Sequence, residues 1–332
     1  MGLKLDSFDR RIACILLENS RESLSDISKK IRLSRENVNY KIKRLSSNGF
    51  IEDFYAKFNE AELKIKHCVA FVQLKGLKSN SEQEILDFLK RQEFVNWVGT
   101  VAGKWTLIFD LRVPETIAVS GIMNQLLAGF GENIEDYVLL NVEEGELFFE
   151  KCLEEKLRNL KWSKKKTRRK KLDRTDCKIM EVLNKNSRAS YAEIAEKIGL
   201  SANGVKKRIK NLEDSKMIEK YSITLNFKKL GFEWYGIQLK LAKFEQELNA
   251  SIRQFFRSHP RIIFYYKYLG PWDYDIGFMA RDSTELKNFI NELRAKFPEE
   301  LKITDVFITL DEIKSCRLPE GIFKNLESAS KH

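Results

Sequence analysis

Two spacings of apolar residues alternate along the chain, and together they predict its secondary structure. Residues 7–19 place apolar side chains at three- and four-residue intervals, so that Ile12 and Leu16 share one face of an amphipathic helix. Two shorter helices follow, and the third turns Val38 and Ile42 inwards. After about sixty residues the spacing changes to the alternation that is typical of strands. The first part of the chain is therefore predicted to be helical and the next part to contain a sheet.

The third predicted helix begins directly after Ser34, whose hydroxyl can accept hydrogen bonds from the free N–H groups of a first helical turn. Three short helices followed by a short extended segment predict a winged helix-turn-helix. In such a module the third helix enters the major groove and its N-terminal residues meet base edges. Once the inward face is removed, the remaining candidates for DNA contact, together with the cap, are Ser34, Arg35, Asn39, Tyr40, Lys43 and Arg44.

The same pattern returns 167 residues later. The matching stretches are Leu5-Asp6 with Leu172-Asp173, Asn19-Ser20-Arg21 with Asn186-Ser187-Arg188, and Gly103-Lys104-Trp105 with Gly270-Pro271-Trp272. A period this long indicates a duplicated two-part protein rather than a solenoid of short repeats. In the second copy the candidates for DNA contact are Ser201, Asn203, Lys206, Lys207 and Lys210.

The second half of each repeat predicts the order β-α-β-β-α-β, with last strands at 134–142 and 301–310. This order is the ferredoxin-like arrangement, an α+β fold with both helices on one face of an antiparallel sheet. Apolar residues on both faces of the strands predict that the two sheets pack face to face. The predicted domains are a first helix-turn-helix (1–60), a first ferredoxin-like domain (61–150), a linker (151–171), a second helix-turn-helix (172–230), a second ferredoxin-like domain (231–316) and a tail (317–332).

The positive charge is concentrated in part of the chain. Among 332 residues the net charge is +11, and residues 151–171 alone carry 11 Lys or Arg against 2 Asp or Glu, a net +9. Such a run repels itself and stays extended until it meets an anion. This distribution is typical of a polyanion binder, and it adds Lys164, Lys165, Arg168 and Arg169 as candidates for phosphate contact. A solvated tether without a DNA role is the alternative for this linker.

Several of these motifs together resemble the Lrp/AsnC family, also called feast/famine regulators. They are L-D-x-x-D at the entry to each helix-turn-helix, N-S-R after the first helix, I-x-L-S before the third, His259-Pro260-Arg261-Ile262, and Gly270-Pro271-Trp272-Asp273-Tyr274-Asp275. The resemblance covers nearly all of both repeats. Family members usually carry one copy and dimerise through their sheets, so the tandem copy implies a dimer fused into one chain. Relatives also form tetramers and octamers, which adds a further homo-oligomer as an expectation.

The resemblance further implies a small-molecule effector, such as an amino acid, near the Gly-x-Trp hairpin. The candidate residues are Gly270, Asp273, Tyr274 and Asp275. In the first repeat the matching stretch runs Gly103-Lys104-Trp105-Thr106-Leu107-Ile108, where both carboxylates are missing. The alternative is a hairpin that only builds the interface between sheets.

The remaining sequence features exclude several classes of protein. The sequence contains no run of 18 apolar residues that would predict a transmembrane helix, so no membrane partner is expected. The five scattered cysteines fit a reducing compartment, and we expect the protein to be cytoplasmic. No metal-ligand spacing, phosphate loop or nucleophile motif is present, so no metal, cofactor or catalytic residue is predicted. The predicted function is a sequence-selective transcriptional regulator that binds double-stranded DNA at two unlike half-sites.

Two alternatives remain open at the level of sequence. The first is a non-specific architectural protein that coats DNA. The second is an enzyme, because sirohaem decarboxylases use a similar combination of helix-turn-helix and ferredoxin-like domains. Those enzymes place histidines and arginines around a tetrapyrrole carboxylate, whereas this chain has only His67, His259 and His332.

Overall fold

The computed structural model of the protein describes residues 3–75, 81–148, 151, 153 and 172–329. The chain divides into two compact units, each built from both repeats. Of the described residues, unit 1 comprises 3–65, 172–230 and 317–329, and unit 2 comprises 66–75, 81–148, 151, 153 and 231–316.

The described elements follow the chain in the order that the two repeats predict. The helices are α1 (Ser7–Glu18), α2 (Leu24–Ile31), α3 (Arg35–Ser47), α4 (Ser81–Arg91), α5 (Ser120–Phe130), α6 (Arg174–Lys185), α7 (Tyr191–Ile198), α8 (Ala202–Asp214), α9 (Gln246–Ser258), α10 (Ser283–Lys296) and α11 (Glu320–Ala329). The strands are β1 (Ile51–Phe58), β2 (Ile65–Leu74), β3 (Val95–Ala102), β4 (Leu107–Pro114), β5 (Ile134–Leu147), β6 (Ile218–Leu225), β7 (Glu233–Leu241), β8 (Ile262–Tyr268), β9 (Tyr274–Ala280) and β10 (Leu301–Ser315).

Unit 1 contains both helix-turn-helix modules, joined by their strands. β1 and β6 form a two-stranded antiparallel sheet in which Phe54 lies opposite Ile223. Helix α1 packs against β6, and α6 packs against β1, so each module lies against the strand of the other. The predicted pair of winged helix-turn-helix modules is confirmed, and the exchange of strands and helices makes the two modules one folding unit.

The segment predicted as a tail contains helix α11, which packs within unit 1. Leu318, Ile322 and Phe323 are buried, and α11 lies against α6. The Asn184 side chain bonds to both backbone groups of Leu318, donating to its carbonyl at 2.9 Å and accepting from its N–H at 3.2 Å. The signal in the sequence was a short apolar stripe after a proline, which is too brief to predict a helix without its partner surface.

Unit 2 contains two ferredoxin-like halves that share one closed sheet of eight strands. Its strand order is β10-β3-β4-β2-β5-β8-β9-β7. Helices α4 and α5 cover a cluster on the first half that includes Phe109 and Leu126, and α9 and α10 cover a cluster on the second half that includes Phe256 and Phe289. The predicted ferredoxin-like fold is confirmed in both repeats.

The last strand of each repeat is longer than the sequence predicted. Beyond Asn141, β5 leaves its own sheet and pairs with β8, and beyond Ile308 β10 pairs with β3. These extensions join the two sheets at both edges. The predicted ends at residues 142 and 310 were therefore too early, because the pairing partners of the extensions lie in the other repeat.

A third apolar cluster lies between the two sheets. It combines Phe71 and Trp105 of the first repeat with Tyr268 and Trp272 of the second, all buried. The ring of Phe71 contacts that of Trp272 edge to face, with 4.9 Å between their centroids. The sheets of the two repeats are continuous at their edges, and the predicted contact between them is this shared cluster within one closed barrel.

Candidate nucleic-acid interface

Each reading helix begins at a serine that caps it. The Ser34 hydroxyl accepts a hydrogen bond from the N–H of Asn37 at 3.2 Å, and the Ser201 hydroxyl accepts one from the N–H of Gly204 at 3.1 Å. Both serines have extended backbone angles, as expected at an N-cap. The caps fix where α3 and α8 start, and with that the position of the residues that approach a DNA groove.

Helix α3 is held against α1 by a buried ion pair as well as by its apolar face. Asp9 is fully buried, and its carboxylate accepts hydrogen bonds from the Lys41 ammonium at 3.0 Å and from the Arg44 guanidinium. Lys41 also bonds to Asp6, and this hydrogen bond holds the pKa of Asp6 below its ordinary value although burial opposes it. Arg44 therefore has an intramolecular partner that the sequence did not predict, and its clearest role is to position α3.

The second module repeats this contact at the same place. Arg208 lies 167 positions after Lys41, and its guanidinium donates to Asp173 at 2.7 Å and to Asp176 at 3.0 Å. The carboxylates of the L-D-x-x-D motif thus both cap the first helix and orient the reading helix. The sequence showed this motif only as a mark of the duplication.

The outward faces of α3 and α8 are free to meet a ligand. Tyr40 is 64% exposed, so its ring is accessible to a ligand. Asn39 is partly buried. The other exposed candidates are Ser34, Arg35 and Lys43 in the first module, and Ser201, Asn203, Lys206, Lys207 and Lys210 in the second.

The two modules are also joined by a reciprocal contact between the two N-S-R motifs. The guanidinium of Arg21 donates to the carbonyl of Ser187 and, just beyond the motif, to that of Ala189 at 2.9 Å. The guanidinium of Arg188 donates to the carbonyl of Ser20 at 2.6 Å. Sequence reasoning missed this role. The conservation of the motif between repeats was the available signal, but it does not say what the motif contacts.

The basic linker residues Lys164, Lys165, Arg168 and Arg169 lie outside the described residues. Their expected contact with phosphates remains a prediction.

The four residues predicted for an effector occupy a tightly packed hairpin. Asp273 is 1% exposed and accepts the N–H of Leu241 at 2.7 Å, while the buried Tyr274 hydroxyl donates to Asn249 at 2.9 Å. Asp275 is a buried residue of β9, and its Oδ1 has no hydrogen-bond partner among the described residues. Burial raises the pKa of Asp275 well above its ordinary value, with the charges of Asp110 and Asp305 adding to the effect. Gly270 is exposed at the tip of the hairpin.

Other kinds of site are absent from the part of the chain that the structure describes. Within it, no group of three or more His, Cys, Asp or Glu side chains is arranged to hold a metal ion. None of the described helices combines the length and the apolar character needed to cross a membrane.

Comparison with protein families places both modules in one class. A model of the winged helix-turn-helix DNA-binding domain matches residues 5–52 and again residues 172–219. The protein is therefore a DNA-binding protein of the winged helix-turn-helix class, with the module present twice.

Whole relatives narrow the class to a family. The chain is 31% identical over 148 residues to an uncharacterised HTH-type transcriptional regulator of Pyrococcus horikoshii, covering 42% of this chain and 96% of that protein. It is 32% identical over 149 residues to the regulator LrpA of the same organism, covering 43% of this chain and 99% of LrpA. The chain belongs to the Lrp/AsnC family of DNA-binding transcriptional regulators. Because each match spans nearly a whole relative but under half of this chain, the protein has the length of two such regulators.

The structure of a siroheme decarboxylase matches both repeats at once. The crystal structure of the siroheme decarboxylase NirDL aligns with 98% of this chain and 100% of its own, with a TM-score of 0.66 and 13% identity. At this identity the match shows that the two proteins share a fold.

Proposed function

We propose that this protein is a single-chain regulator that reads an asymmetric operator, with α3 binding one half-site and α8 binding a different one. Regulators built from two identical chains present the same reading helix twice, and their operators mirror that symmetry. Here both modules belong to one unit of one chain, so their reading helices are free to differ.

The observation that carries this proposal is the difference between the outward faces of α3 and α8. Under the 167-residue offset Arg35 corresponds to Ala202, and Asn39 corresponds to Lys206. Asn pairs bidentately with adenine, whereas Lys and Arg favour the acceptors of guanine. The two helices therefore present different hydrogen-bonding groups to the major groove, although the caps and inward faces that position them are alike.

Selection of binding sites from random DNA, followed by footprinting of the selected duplex, tests the proposal. We expect two unlike half-sites whose centres lie about one helical turn, or a multiple of it, apart. A palindromic consensus would contradict the proposal. If the protein coats DNA as an architectural protein, the selected site will not outcompete bulk genomic DNA at physiological salt, whereas specific binding should win by at least about a thousandfold.

A small-molecule effector is the second part of this proposal. It is supported by Asp275, whose buried Oδ1 has no hydrogen-bond partner among the described residues. A ligand ammonium group would provide that partner, and its positive charge would favour the ionised carboxylate that burial otherwise disfavours. Titration of each of the twenty amino acids into the complex with the selected operator tests it. We expect one or more to shift DNA affinity in the wild type and to lose this effect in Asp275→Asn. No response to any amino acid would contradict it.

A sirohaem decarboxylase is the second candidate function, and the fold shared with NirDL along the whole chain is the observation that favours it. The two described histidines support it poorly. His259 is packed among aromatic rings, with Phe289 4.8 Å away between centroids, and the His67 imidazole lies 3.3 Å from the Asp110 carboxylate. We propose that the protein is not an enzyme. A sirohaem titration tests this: a saturable shift of the Soret band, with loss of a substrate carboxylate, would establish the enzyme instead.

The fused pair is proposed as the smallest functional form. Light scattering of the purified chain, alone and on the selected operator, measures whether further copies assemble. We expect one chain to bind each operator and, in the footprint, to protect the two halves of the operator differently.

A further inference from the structure

Among the residues that the structure describes, three other than glycine adopt the left-handed backbone conformation, and these three are cations. They are Arg32 (φ 58°), Lys64 (φ 53°) and Lys216 (φ 60°). Their counterparts at the 167-residue offset are Gly199 (φ 71°), Gly231 (φ 78°) and Gly49 (φ 71°). At each of these three turns one repeat therefore has a glycine and the other has a lysine or arginine.

Lysine and arginine are not the residues that the left-handed backbone conformation of these turns favours. Left-handed angles bring Cβ close to the backbone, which costs free energy that glycine avoids, and Asn and Asp are the side chains that best tolerate them. Lys and Arg account for 59 of the 332 residues, yet they occupy all three positions. Non-glycine residues held in such a conformation cluster at functional sites, so each of these side chains is a candidate for a functional contact.

Two of these cations flank the reading helices. Arg32 ends α2 and lies two residues before Ser34, the N-cap of α3. Lys216 follows Ser215, the C-cap of α8, and precedes β6. Both are exposed, and neither side chain forms a hydrogen bond or ion pair with any described residue. In this they differ from Lys41 and Arg208, whose charges are used inside the modules.

We propose that Arg32 and Lys216 contact DNA phosphates on either side of the two reading helices. This inference rests on the proposed binding of DNA by α3 and α8. In a helix-turn-helix the residues that flank the reading helix lie over the DNA backbone, and phosphate contacts of Lys and Arg set the orientation of the protein on the duplex. Arg32 holds the first module at the start of its reading helix, and Lys216 holds the second module at the end of its own. The modules therefore differ in backbone contacts as well as in base contacts.

Substitution by asparagine tests the proposal, because asparagine removes the charge and tolerates the left-handed angles. On the selected operator, Arg32→Asn and Lys216→Asn should each flatten the slope of log Kobs against log salt by about 0.9, which corresponds to an affinity about fivefold lower near 0.15 M salt. Arg32→Lys and Lys216→Arg should keep the slope of the wild type. Arg32→Gly should unfold at a higher temperature than the wild type and still bind DNA more weakly, which a purely structural role would not produce.

Two further variants sharpen the test. Lys302→Asn removes one exposed charge from unit 2 and should leave the slope unchanged, so an equal loss in this control would overturn the proposal. Gly199→Arg adds the missing cation to the second module, where a Cβ at Gly199 meets no described atom within 4 Å. It should steepen the slope by about 0.9.

The outcomes separate the two proposals. If the wild type selects no operator, the proposed function fails. If the wild type binds its operator and both asparagine variants bind with the same affinity and slope, only the phosphate contacts of Arg32 and Lys216 are refuted.

Discussion

The hydroxyl oxygens of Ser20 and Ser187 lie 2.6 Å apart in the buried contact between the two helix-turn-helix modules. The two residues are 167 positions apart and are equivalent in the two repeats. Each copy of the N-S-R motif therefore binds the other copy of itself, as expected where two related modules meet about a two-fold axis.

This contact predicts a coupling that a double-mutant cycle can measure. Ser20→Ala or Ser187→Ala alone leaves the other buried hydroxyl without its partner and should lower the free energy of unfolding by about 1–3 kcal/mol. The double variant should cost clearly less than the sum of the two, because no hydroxyl is then left unsatisfied. Urea unfolding followed by circular dichroism measures the three variants. Strictly additive losses would show that the serines do not interact.

The asymmetry of the operator should follow the outward residues of α8. In Ala202→Arg, Lys206→Asn, Lys207→Tyr, helix α8 receives the outward residues that α3 has at the matching positions. Site selection with this triple variant should yield a more symmetric consensus than the wild type, with the first half-site unchanged. The matched variant Lys302→Asn, which is remote from α8 in sequence and lies in unit 2, should select the same site as the wild type. An unaltered consensus for the triple variant would mean that α8 does not read bases.

Helix α11 should stabilise unit 1. Phe323 is 2% exposed, and its ring meets that of Phe58 edge to face with 6.3 Å between centroids. Phe323→Ala should therefore lower the free energy of unfolding of unit 1 by about 3 kcal/mol. Phe244 is 66% exposed and provides the control. Phe244→Ala should change the free energy of unfolding by no more than about 0.5 kcal/mol. Equal effects of the two substitutions would contradict the packing of α11.

The stability of unit 2 should depend on pH through His259. Burial, and after it the positive charges of Lys151 and Arg261, lower the pKa of His259 to about 4. The pKa of His259 in the folded state is below the unfolded value of about 6.5. The contribution of the neutral imidazole to the free energy of unfolding is therefore complete above pH 6.5 and is lost as the pH falls towards 4. The loss should approach about 3 kcal/mol. Unfolding followed by tryptophan fluorescence measures it, since Trp97, Trp105, Trp234 and Trp272 all lie in unit 2.

Two variants check the cause of this pH dependence. His259→Asn keeps an acceptor for the N–H of Arg261, which bonds to the imidazole at 3.2 Å. The free energy of unfolding of this variant should not show the loss that the wild type shows as the pH falls towards 4. Lys151→Met removes the positive charge and should raise the pKa of His259 in an NMR titration. Lys151 also donates to the carbonyl of Phe256 at 2.8 Å, so this variant should be less stable at every pH. A pKa of His259 that does not change would exclude Lys151 as a cause.

Much of unit 1 was predictable because its helices depend on local signals. Ser34 caps α3 through the N–H of Asn37, three residues away, and the inward face of α3 repeats at intervals that the sequence shows directly. The exposed DNA-contact candidates follow by subtraction. Arg44 was the exception, because its partner Asp9 lies 35 residues earlier and no periodicity relates the two.

The effector candidates show the opposite case. The carboxylates of Asp273 and Asp275 looked available in a turn-rich segment, but both are buried. Asp273 binds the backbone of Leu241 on the neighbouring strand, a contact 32 residues distant in sequence. The side of the sheet on which a hairpin residue lies is set by register with other strands, which a single stretch of sequence does not contain.

The sequence by itself determined the duplication, the helix-turn-helix modules, the ferredoxin-like order and the family, because each depends on spacings within about twenty residues or on repetition of a motif. Only the tertiary structure decided how the repeats join. The extension of β5 onto β8, the meeting of Ser20 with Ser187, and the packing of α11 all pair segments more than a hundred residues apart. Such contacts form where the folded chain brings complementary surfaces together. The local sequence of one segment does not indicate which distant segment it will contact.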